Sequence, residues 1–371
     1  MQYKLSYRRW SWQMWYSVKR LGSCAYKLTA FLIIALLLGA LFIATRGVHT
    51  TTDEDDQFHI GLGSQHLTDD EVKFSLCDEK FIKRQRLKGP LLYDDEYIIN
   101  VFRDEYLVPP STQEYRLETS AKYIEYMTLN SWIFLRSRVK AVLGRTARGF
   151  FVEAGALDGQ YLSNSLPLER ELQWTGLLVE ANPRSYQKML TKNRKAWLSP
   201  ACLSPAKFPQ EMILNMMEMM NARSSYDYPW IARGSSHLEE TAGGDQEIIQ
   251  TQFHTTYARV QCFPLATMLL ALNVTHIDLL SLDVEGGEPD ILRSLPWSQL
   301  TVSVMLVEHH GESSSRDEGF LNFITDKGFR VFDYQTDNEG ITDYVFVSDK
   351  YWQEHGAEIL KRSTNFTRAE S

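Results

Sequence analysis

The stretch between residues 150 and 164 constrains the fold of this chain most, because a short apolar strand there runs directly into a glycine-rich turn. Residues 150–152 are β-prone and apolar, which is typical of a strand buried on both faces of a sheet. Gly155 and Gly159 follow, with Asp158 between them, so the chain turns where bare backbone lets a ligand come close. A glycine loop alone is equally typical of an ordinary tight turn. The order of the segments after it favours the binding interpretation.

Strand-like and helix-like segments alternate from this point to residue 350. The predicted elements are strands at 150–152, 175–180, 277–284 and 302–307, a poorer strand at 196–203, helices at 166–172, from 183 onward and at 318–327, and a closing antiparallel hairpin of 329–332 with 343–347. Asn182 and Pro183 suit the start of the second helix, because asparagine caps a helix and proline fits its first turn. This alternation predicts an α/β fold whose sheet is mostly parallel and doubly wound.

Four of the predicted strands carry an acid at the carboxyl end, namely Glu153, Glu180, Asp283 and Glu308. The carboxyl ends of parallel strands meet at one edge of a sheet, and doubly wound proteins bind their ligands there. Buried strands have no need of an acid at the same end each time. The pattern therefore predicts a binding site at this rim, with Glu180 placed to accept hydrogen bonds from both hydroxyls of an adenosine ribose. The alternative is that these acids only cap strand ends.

Two regions are harder to interpret. Residues 204–261 contain a cluster of five methionines and several glycine-containing stretches, which predict loop-rich structure with adaptable methionine packing, not a metal site. Residues 91–148 become helical in their second half, where apolar residues recur every three or four positions through Leu135, Val139 and Val142. That spacing predicts a helical lead-in that covers one face of the sheet.

Residues 28–45 form an apolar run without a charged side chain. At about 1.5 Å per residue, such a helix covers roughly 27 Å, enough for a thin bilayer of the endoplasmic-reticulum or Golgi kind. Basic residues and no acids precede the run, and four consecutive acids, 53–56, follow it. A cleaved signal peptide and a buried core helix are the alternatives, and the long basic leader disfavours both. The pattern predicts a type II anchor, with a cytosolic amino end and a body in the secretory lumen or outside the cell.

The charge balance argues against a body that binds nucleic acid. The chain holds 47 acidic and 39 basic residues, a net charge of −8. All charged residues among its first 30 positions are basic. The rest of the chain is therefore more acidic than the total suggests, whereas nucleic-acid-binding domains usually present a basic face. We expect the membrane, and no nucleic acid, as a partner of this chain.

Glycosylation triplets and cysteines fit a lumenal body. Asn273 and Asn365 each begin an N-x-T triplet, and Asn365 is the better expected acceptor because Asn273 lies close to a predicted strand. Cys202 and Cys262 stand where the chain leaves and re-enters the predicted sheet, so we expect a disulfide between them; two buried thiols are the alternative. The cysteine spacings are too wide and irregular for a zinc site, so no metal site is predicted.

Three motifs together resemble the FkbM-type class I methyltransferases. They are E-A-G-A-L-D-G at 153–159, W-T-G-L-L-V-E-A-N-P at 174–183 and L-S-L-D-V-E-G-G-E at 280–288, of which the last is the most specific. The resemblance spans about residues 149–347 and implies a doubly wound, mostly parallel seven-stranded sheet that binds S-adenosylmethionine. This sequence departs from the family twice: the usual aspartate at the first strand tip is Glu153, and the usual asparagine in the glycine loop is replaced at 157–158.

The resemblance also implies roles for single residues. The implied cofactor-binding residues are Glu153, Gly155, Ala156, Asp158, Gly159, Glu180 and Asp283. Asp283 or Glu285 would lie beside the transferred methyl group, and His309 or His310 would act as the base if the acceptor is a hydroxyl. Two histidines after a strand are also typical of an ordinary loop.

Within the family, the single-pass anchor and lumenal body resemble secretory-pathway members that serve export of epidermal-growth-factor-type ligand precursors from the endoplasmic reticulum. The resemblance implies vesicle-mediated transport from the endoplasmic reticulum to the Golgi, with a membrane-tethered growth-factor precursor as client and a link to epidermal-growth-factor receptor signalling. An active O-methyltransferase acting on a secretory-pathway substrate is the alternative. The expected location is the endoplasmic-reticulum or Golgi membrane, with the endosome and plasma membrane as further stations.

The predicted organisation has six parts. They are a basic cytosolic tail at 1–27, a transmembrane helix at 28–45, an acidic stem at 46–90, a helical lead-in at 91–148, a methyltransferase-like domain at 149–350 and a carboxyl-terminal tail at 351–371.

Overall fold

A computed structural model describes residues 79–120, 123, 130–219, 235–239, 253–310, 317–338 and 340–367. The predicted membrane anchor, 28–45, and most of the predicted stem lie outside these residues. Among the helices within the described ranges, none has the length and apolar character needed to cross a membrane. The internal contacts divide the chain between Lys83 and Arg84, and the strands described below all belong to the second unit.

The strands of the described part fall into two sheets. They are β1 (Phe150–Ala154), β2 (Thr175–Val179), β3 (Trp197–Ser199), β4 (Cys202–Leu203), β5 (Gln210–Met219), β6 (His237–Leu238), β7 (Phe253–Phe263), β8 (His276–Leu282), β9 (Thr301–His310), β10 (Phe329–Thr336) and β11 (Ile341–Ser348). The larger sheet has seven strands in the order β10, β11, β9, β8, β1, β2, β3, and the smaller one has the order β4, β7, β5, β6.

The larger sheet is parallel except at one edge. β1 pairs in parallel with β2 and β8, and the β2–β3 and β8–β9 pairs are parallel too. β11 lies antiparallel between β9 and β10. The strand order reverses between β1 and β8, so a crevice opens outside the carboxyl ends of these two strands. The predicted mostly parallel seven-stranded sheet is confirmed, and so is its closing hairpin.

Helices cover both faces of the larger sheet. The described helices are α1 (Glu79–Arg86), α2 (Glu96–Glu105), α3 (Asn130–Leu143), α4 (Leu166–Leu172), α5 (Pro183–Leu190), α6 (Leu265–Ala271), α7 (Glu288–Ser294), α8 (Glu318–Asp326) and α9 (Asp349–Thr367). One apolar cluster joins the sheet to α2, α6, α7 and α8, and a second joins it to α3, α4, α5 and α9. α3, in the second half of the predicted lead-in, covers one face of the sheet as predicted, whereas α2, in the first half, lies on the opposite face.

Side-chain alternation along the central strands builds these two layers. Val152 and Leu282 point into the first apolar cluster, whereas Phe151 and Leu279 point into the second. All four side chains are buried. Because both faces are covered, the central strands read in the sequence as continuous apolar runs without polar alternation.

The predicted third strand, 196–203, consists of two strands that belong to different sheets. β3 lies at the edge of the larger sheet, and β4 begins the smaller one. Pro200 stands between them. Proline has no N–H to donate to a strand ladder, so one continuous strand through this position is disfavoured.

The loop-rich structure predicted for 204–261 is wrong in part, because β5 and β7 pair antiparallel along this region. Met212, Leu214 and Met216 pack into an apolar cluster of the smaller sheet, whereas Ile213 between them is 41% exposed. Met212 and Met216 therefore lie on the buried face of the strand, and Met217 is buried as well. Their predicted packing role is confirmed.

Cys202 and Cys262 form a disulfide, as predicted. The two residues are direct register partners in the parallel β4–β7 pair, and their Cα atoms are 4.3 Å apart. The bond joins positions separated by 60 residues. It therefore fastens both ends of the inserted sheet at one point.

Replacing both cysteines, Cys202→Ala with Cys262→Ala, is expected to lower the free energy of unfolding by about 4 kcal/mol, because the bridge restrains a 60-residue loop in the unfolded chain. Chemical denaturation of the purified full chain measures this change. Reductant should destabilise the wild type to a similar degree and leave the double variant unaffected. An unfolding midpoint that neither treatment shifts would contradict a stabilising role for the bond.

Candidate functional site

The carboxyl ends of the central strands bring together three of the four predicted rim acids. Glu180 follows β2, Asp283 follows β8 and Glu308 lies near the end of β9. Glu308 is close enough to Asp283 to raise the pKa of Asp283, and Asp283 is close enough to Glu180 to raise the pKa of Glu180. Glu153, in β1, engages a different set of partners.

Gly155 stands at the closest approach between the ends of β1 and β8. Its φ of +80° is left-handed, and a Cβ on it would lie 1.7 Å from the backbone oxygen of Asp283. No side chain fits there. The N–H groups of Gly155 and Ala156 both donate to the Val179 carbonyl at 3.1 Å. The missing side chain thus serves the packing of two strand ends, and a cofactor contact of Gly155 and Ala156 stays a prediction.

Asp158 and Gly159 are held by protein groups as well. A Cβ on Gly159 would lie 2.8 Å from Cγ of Met189 in α5. The fully buried Asp158 accepts hydrogen bonds at 2.9 and 2.7 Å from the N–H groups of the two residues after Gly159, and its Oδ2 lies 3.1 Å from Nζ of Lys192. These contacts close the glycine loop against α5 and the segment after it.

Glu153 anchors the segment that follows the glycine loop. Its carboxylate accepts hydrogen bonds from the Ser163 hydroxyl at 2.8 Å, from the Asn164 N–H at 2.7 Å and from the Ser165 hydroxyl. Both carboxylate oxygens are therefore engaged. A cofactor would have to compete with these bonds, so the cofactor-binding role predicted for Glu153 stays a prediction without support from its contacts.

Arg194 completes this buried polar network, which sequence reasoning missed. The side chain is 1% exposed, pairs with Glu169 at 3.1 Å and donates to the Ser165 hydroxyl at 3.0 Å and to the Gly159 carbonyl. The sequence offers only a weak signal for it, a basic residue a few positions before a short strand. Its acidic partner, on α4, is distant in the sequence.

Glu180 is fixed in position yet keeps part of its hydrogen-bonding capacity. Its Oε2 accepts from the Leu157 N–H at 2.6 Å, and its Oε1 accepts from the Asn182 N–H at 2.7 Å. Each carboxylate oxygen has two lone pairs, so one on each oxygen is left for a further donor. Burial raises the pKa of Glu180 to about 8 against the effect of these bonds, and Asp283 and Asp158 add to the rise.

Glu288 closes the loop that follows β8. Its carboxylate accepts hydrogen bonds from the N–H of Val284 at 2.8 Å and from that of Gly286 at 3.1 and 3.2 Å. The side chain is fully buried in the first turn of α7, where a negative charge also suits the helix dipole. Glu285 within this loop has a φ of +62°, which is uncommon for a residue with a side chain.

Glu285 meets Glu308 and His310 in an acid–histidine cluster. His310 Nε2 lies 3.4 Å from Glu285 Oε2 and 3.5 Å from Glu308 Oε2. Asp343 of β11 stands opposite Glu308 in the strand register. Chiefly through burial, the pKa of Glu285 and that of Glu308 are raised to about 8, and the pKa of Asp343 is raised to about 6.

Asp283 lies between the glycine loop and this cluster. Solvent reaches its side chain, yet the surrounding protein displaces enough bulk water to raise its pKa well above that of an ordinary aspartate, with repulsion from Glu308 adding to the rise. A carboxylate that is exposed to solvent and yet has a strongly raised pKa is typical of a concave site. The end of β8 thus offers an accessible carboxylate.

His309 points away from the cluster, because consecutive strand residues face opposite sides of the sheet. Its ring stacks on Phe320 with centroids 4.5 Å apart, and its Nε2 lies 3.3 Å from Asp317 Oδ2. Burial lowers the pKa of His309. Its predicted catalytic role therefore lacks the necessary placement, and His310 is the histidine that joins the rim acids.

The structure thus brings the predicted catalytic residues Asp283 and Glu285 to the same end of β8 and separates His309 from them. Sequence reasoning identified Glu308 as a strand-tip acid but did not connect it with Glu285, because the loop conformation that directs Glu285 is not visible in the sequence. It missed Asp343, since the register of an antiparallel edge strand cannot be read from apolar residues alone.

Residues 153–331 match the family model described as the methyltransferase FkbM domain. The match agrees with the resemblance carried by the three motifs and covers the glycine loop, Glu180 and the acid–histidine cluster. No curated protein matches the sequence.

Three solved structures of methyltransferases are similar over part of the chain. A candidate RNA methyltransferase of Pyrococcus horikoshii, PH1948, has 11% identity and a TM-score of 0.32, over 64% of this chain and 91% of that one. TYW2 of M. jannaschii in complex with AdoMet has 12% identity and a TM-score of 0.28, over 65% and 88%. A SAM-dependent methyltransferase from Aquifex aeolicus has 9% identity and a TM-score of 0.26, over 62% and 100%.

The substitution Gly155→Ala is expected to lower the free energy of unfolding by about 1–3 kcal/mol more than Gly328→Ala does. Both glycines have a left-handed φ, but a Cβ would clash with the Asp283 carbonyl at position 155 and meets nothing within 4 Å at position 328. Chemical denaturation of both variants isolates the steric contribution. Equal losses would show that the approach of β1 to β8 is not as tight as described.

Proposed function

We propose that residues 149–350 form an S-adenosylmethionine-binding domain of the FkbM methyltransferase type, which transfers a methyl group to a substrate in the secretory lumen. The match over 153–331 and the seven-stranded order with one antiparallel strand support the proposal. One observation carries it. Glu180 is positioned by two backbone N–H groups, keeps a lone pair on each oxygen and lies near the accessible carboxylate of Asp283.

The groups around the crevice fit this cofactor. Glu180 would accept hydrogen bonds from the ribose hydroxyls, and Asp283 would accept one from the positively charged amino group. Asn164 offers a further polar group: its Nδ2 donates to Ser281 of β8 at 3.1 Å, while its Oδ1 is buried without a hydrogen-bond partner. Whichever way the amide is oriented, one of its atoms is left for a ligand.

Methyl transfer depends mainly on the positioning of the two reactants. S-adenosylmethionine supplies a methyl group on a positively charged sulfur, and the protein must hold the acceptor in line with it. A hydroxyl acceptor also needs a group that takes up its proton. Asp283 and Glu308, which lie close enough to raise the pKa of Asp283, provide the carboxylates for that role, and Glu285 lies beside them.

At a pH above the Glu180 pKa of about 8, where the carboxylate is charged, Glu180→Gln is expected to weaken binding of S-adenosylmethionine about tenfold or more, because hydrogen bonds to a charged group are worth about 1.5–3 kcal/mol each. Isothermal titration of the purified full chain measures the affinity. Glu354→Gln is the matched control, since Glu354 is 55% exposed on α9. Thermal unfolding of both variants establishes that they are folded.

Two results would count against this proposal in different ways. If the wild type bound no S-adenosylmethionine at millimolar concentration, methyl transfer by this domain would be excluded. If it bound the cofactor and Glu180→Gln bound it equally well, the cofactor would lie elsewhere and the role of Glu180 would be wrong.

A second candidate function is a lumenal platform that grips a membrane-tethered client. The observation that favours it is the internal use of the loop acids, because Glu153 and Asp158 are both engaged by protein groups. The chain resembles the insect protein Star in its anchor and motifs. That resemblance suggests export of a growth-factor-type precursor from the endoplasmic reticulum to the Golgi, and no methyl transfer is needed for this role.

Both candidates share the proposed lumenal location. A disulfide such as Cys202–Cys262 is typical of oxidising compartments and supports this placement. Asn273 is exposed in the turn before β8 and would be open to glycosylation there, and Asn365 stays a predicted acceptor.

In intact microsomes, a tag on the amino end should be digested by added protease, whereas the carboxyl end should be protected, because the basic side of the anchor favours the cytosol. Asn365→Gln should abolish a glycan-dependent shift in electrophoretic mobility, with Asn273→Gln as the companion variant. Protection of the amino end would overturn the topology and with it the lumenal assignment.

A further inference from the structure

We propose that Glu285, Glu308 and His310 bind one divalent transition-metal ion. Each glutamate offers one carboxylate oxygen, and the histidine offers one ring nitrogen. These three atoms all lie within 4.8 Å of one another. Ligand atoms that bind one ion at about 2.0–2.2 Å are separated by roughly 3–4 Å. The 3.4 and 3.5 Å separations from His310 Nε2 to the two carboxylates are of that size.

The fold directs these side chains to one place. Glu308 and His310 are two positions apart on β9, so they share a face of the sheet. Glu285 belongs to the loop after β8, the parallel neighbour of β9, and its left-handed φ of +62° turns its side chain towards them. Glu288 holds that loop through three hydrogen bonds to backbone N–H groups. The arrangement is therefore fixed by backbone structure around it.

Two buried polar atoms of the cluster have no hydrogen-bond partner, His310 Nε2 and Glu308 Oε2. The His310 side chain is 10% exposed, and its Nε2 points at both carboxylates without meeting the geometry of a hydrogen bond. Buried polar atoms nearly always have a hydrogen-bond partner, so two atoms without one in the same cluster require an explanation. One bound cation would satisfy both atoms together.

The surroundings of the cluster suit a metal site. Asp283 lies close enough to Glu308 for the two carboxyls to influence each other, and Asp343 stands opposite Glu308 on β11. Carboxylates next to metal ligands commonly orient them and balance the charge of the ion. Two glutamates and one histidine favour ions such as Mn²⁺ or Zn²⁺ over Mg²⁺ and Ca²⁺, which prefer oxygen ligands alone.

Three protein ligands leave coordination positions open, which is typical of catalytic metal sites. The next step rests on the proposed methyltransferase function. In that reaction the open positions would bind the oxygen of an acceptor hydroxyl, and the ion would lower the pKa of that hydroxyl, as metals do for bound water. Metal binding itself does not depend on that function.

The test uses the purified full chain, stripped of metal by chelator and then titrated with Mn²⁺ in the absence of S-adenosylmethionine. Electron paramagnetic resonance follows the free Mn²⁺ signal. We expect one Mn²⁺ per chain, displaced by Zn²⁺ but not by an equal concentration of Mg²⁺. His310→Ala and Glu308→Gln should each weaken binding at least tenfold, whereas His355→Ala, which removes a histidine 43% exposed on α9, should not.

Glu285→Gln provides a variant that is expected to fold even if Glu308→Gln does not, since Glu285 lies on a loop and is 17% exposed. Thermal unfolding identifies folded variants, and Mn²⁺ should raise the unfolding temperature of the wild type and of His355→Ala but not of the cluster variants. Absence of Mn²⁺ and Zn²⁺ binding, or equal binding by the wild type and folded cluster variants, overturns the proposal. Because the titration contains no S-adenosylmethionine, either result is independent of whether the cofactor binds.

Discussion

The carbonyl oxygen of Asp283 fills the space where any side chain at position 155 would begin, and the rest of the site depends on this contact. It sets the distance between the ends of β1 and β8, the two strands at which the sheet order reverses. The N–H of Asp283 also donates to the Ala154 carbonyl at 3.2 Å, so the ladder continues past the end of β8. As a result, the Asp283 side chain emerges beside the glycine loop, with Glu180 on one side and Glu308 on the other.

Beneath this rim, the buried charges are paired within the protein. Arg194 pairs with Glu169, and Lys192 lies against Asp158. An unpaired charge at such depth would cost several kcal/mol, so these pairs hold one another in place even where their net contribution to stability is small. Since the pairs and their hydrogen bonds span β1, the glycine loop and the segment before β3, the loop keeps its conformation through protein contacts alone.

Features that depend on neighbouring residues could be predicted from the sequence, whereas features that depend on residues far apart in the chain could not. Local signals were reliable: Asn182 accepts from the N–H groups of Arg184 and Ser185 at 3.0 and 3.4 Å, as its position before Pro183 predicted. The apolar runs of the central strands were equally clear. The inserted sheet was not, because methionine has little strand preference. The Arg194 network could not be predicted either, because its partners are distant in the sequence. The opposite orientations of His309 and His310 could not be assigned before the limits of β9 were known.

The two departures from the FkbM pattern, at Glu153 and around Asp158, belong to one half of the rim. Glu153 is longer than aspartate by one methylene, roughly 1.5 Å, and its carboxylate reaches the segment 163–165; Asp158 binds the loop N–H groups and Lys192. Both side chains therefore bind neighbouring segments of the protein. The β8–β9 half, with Glu285, Glu308 and His310, is touched by neither. The two halves meet along the β1–β8 pair, and Asp283 lies between Glu180 and Glu308 at its end, so a change in the glycine loop removes no residue of the acid–histidine cluster. Of the two proposed functions, a platform for a client would use only the scaffold, whereas methyl transfer would use both halves of the rim, with Asp283 between them.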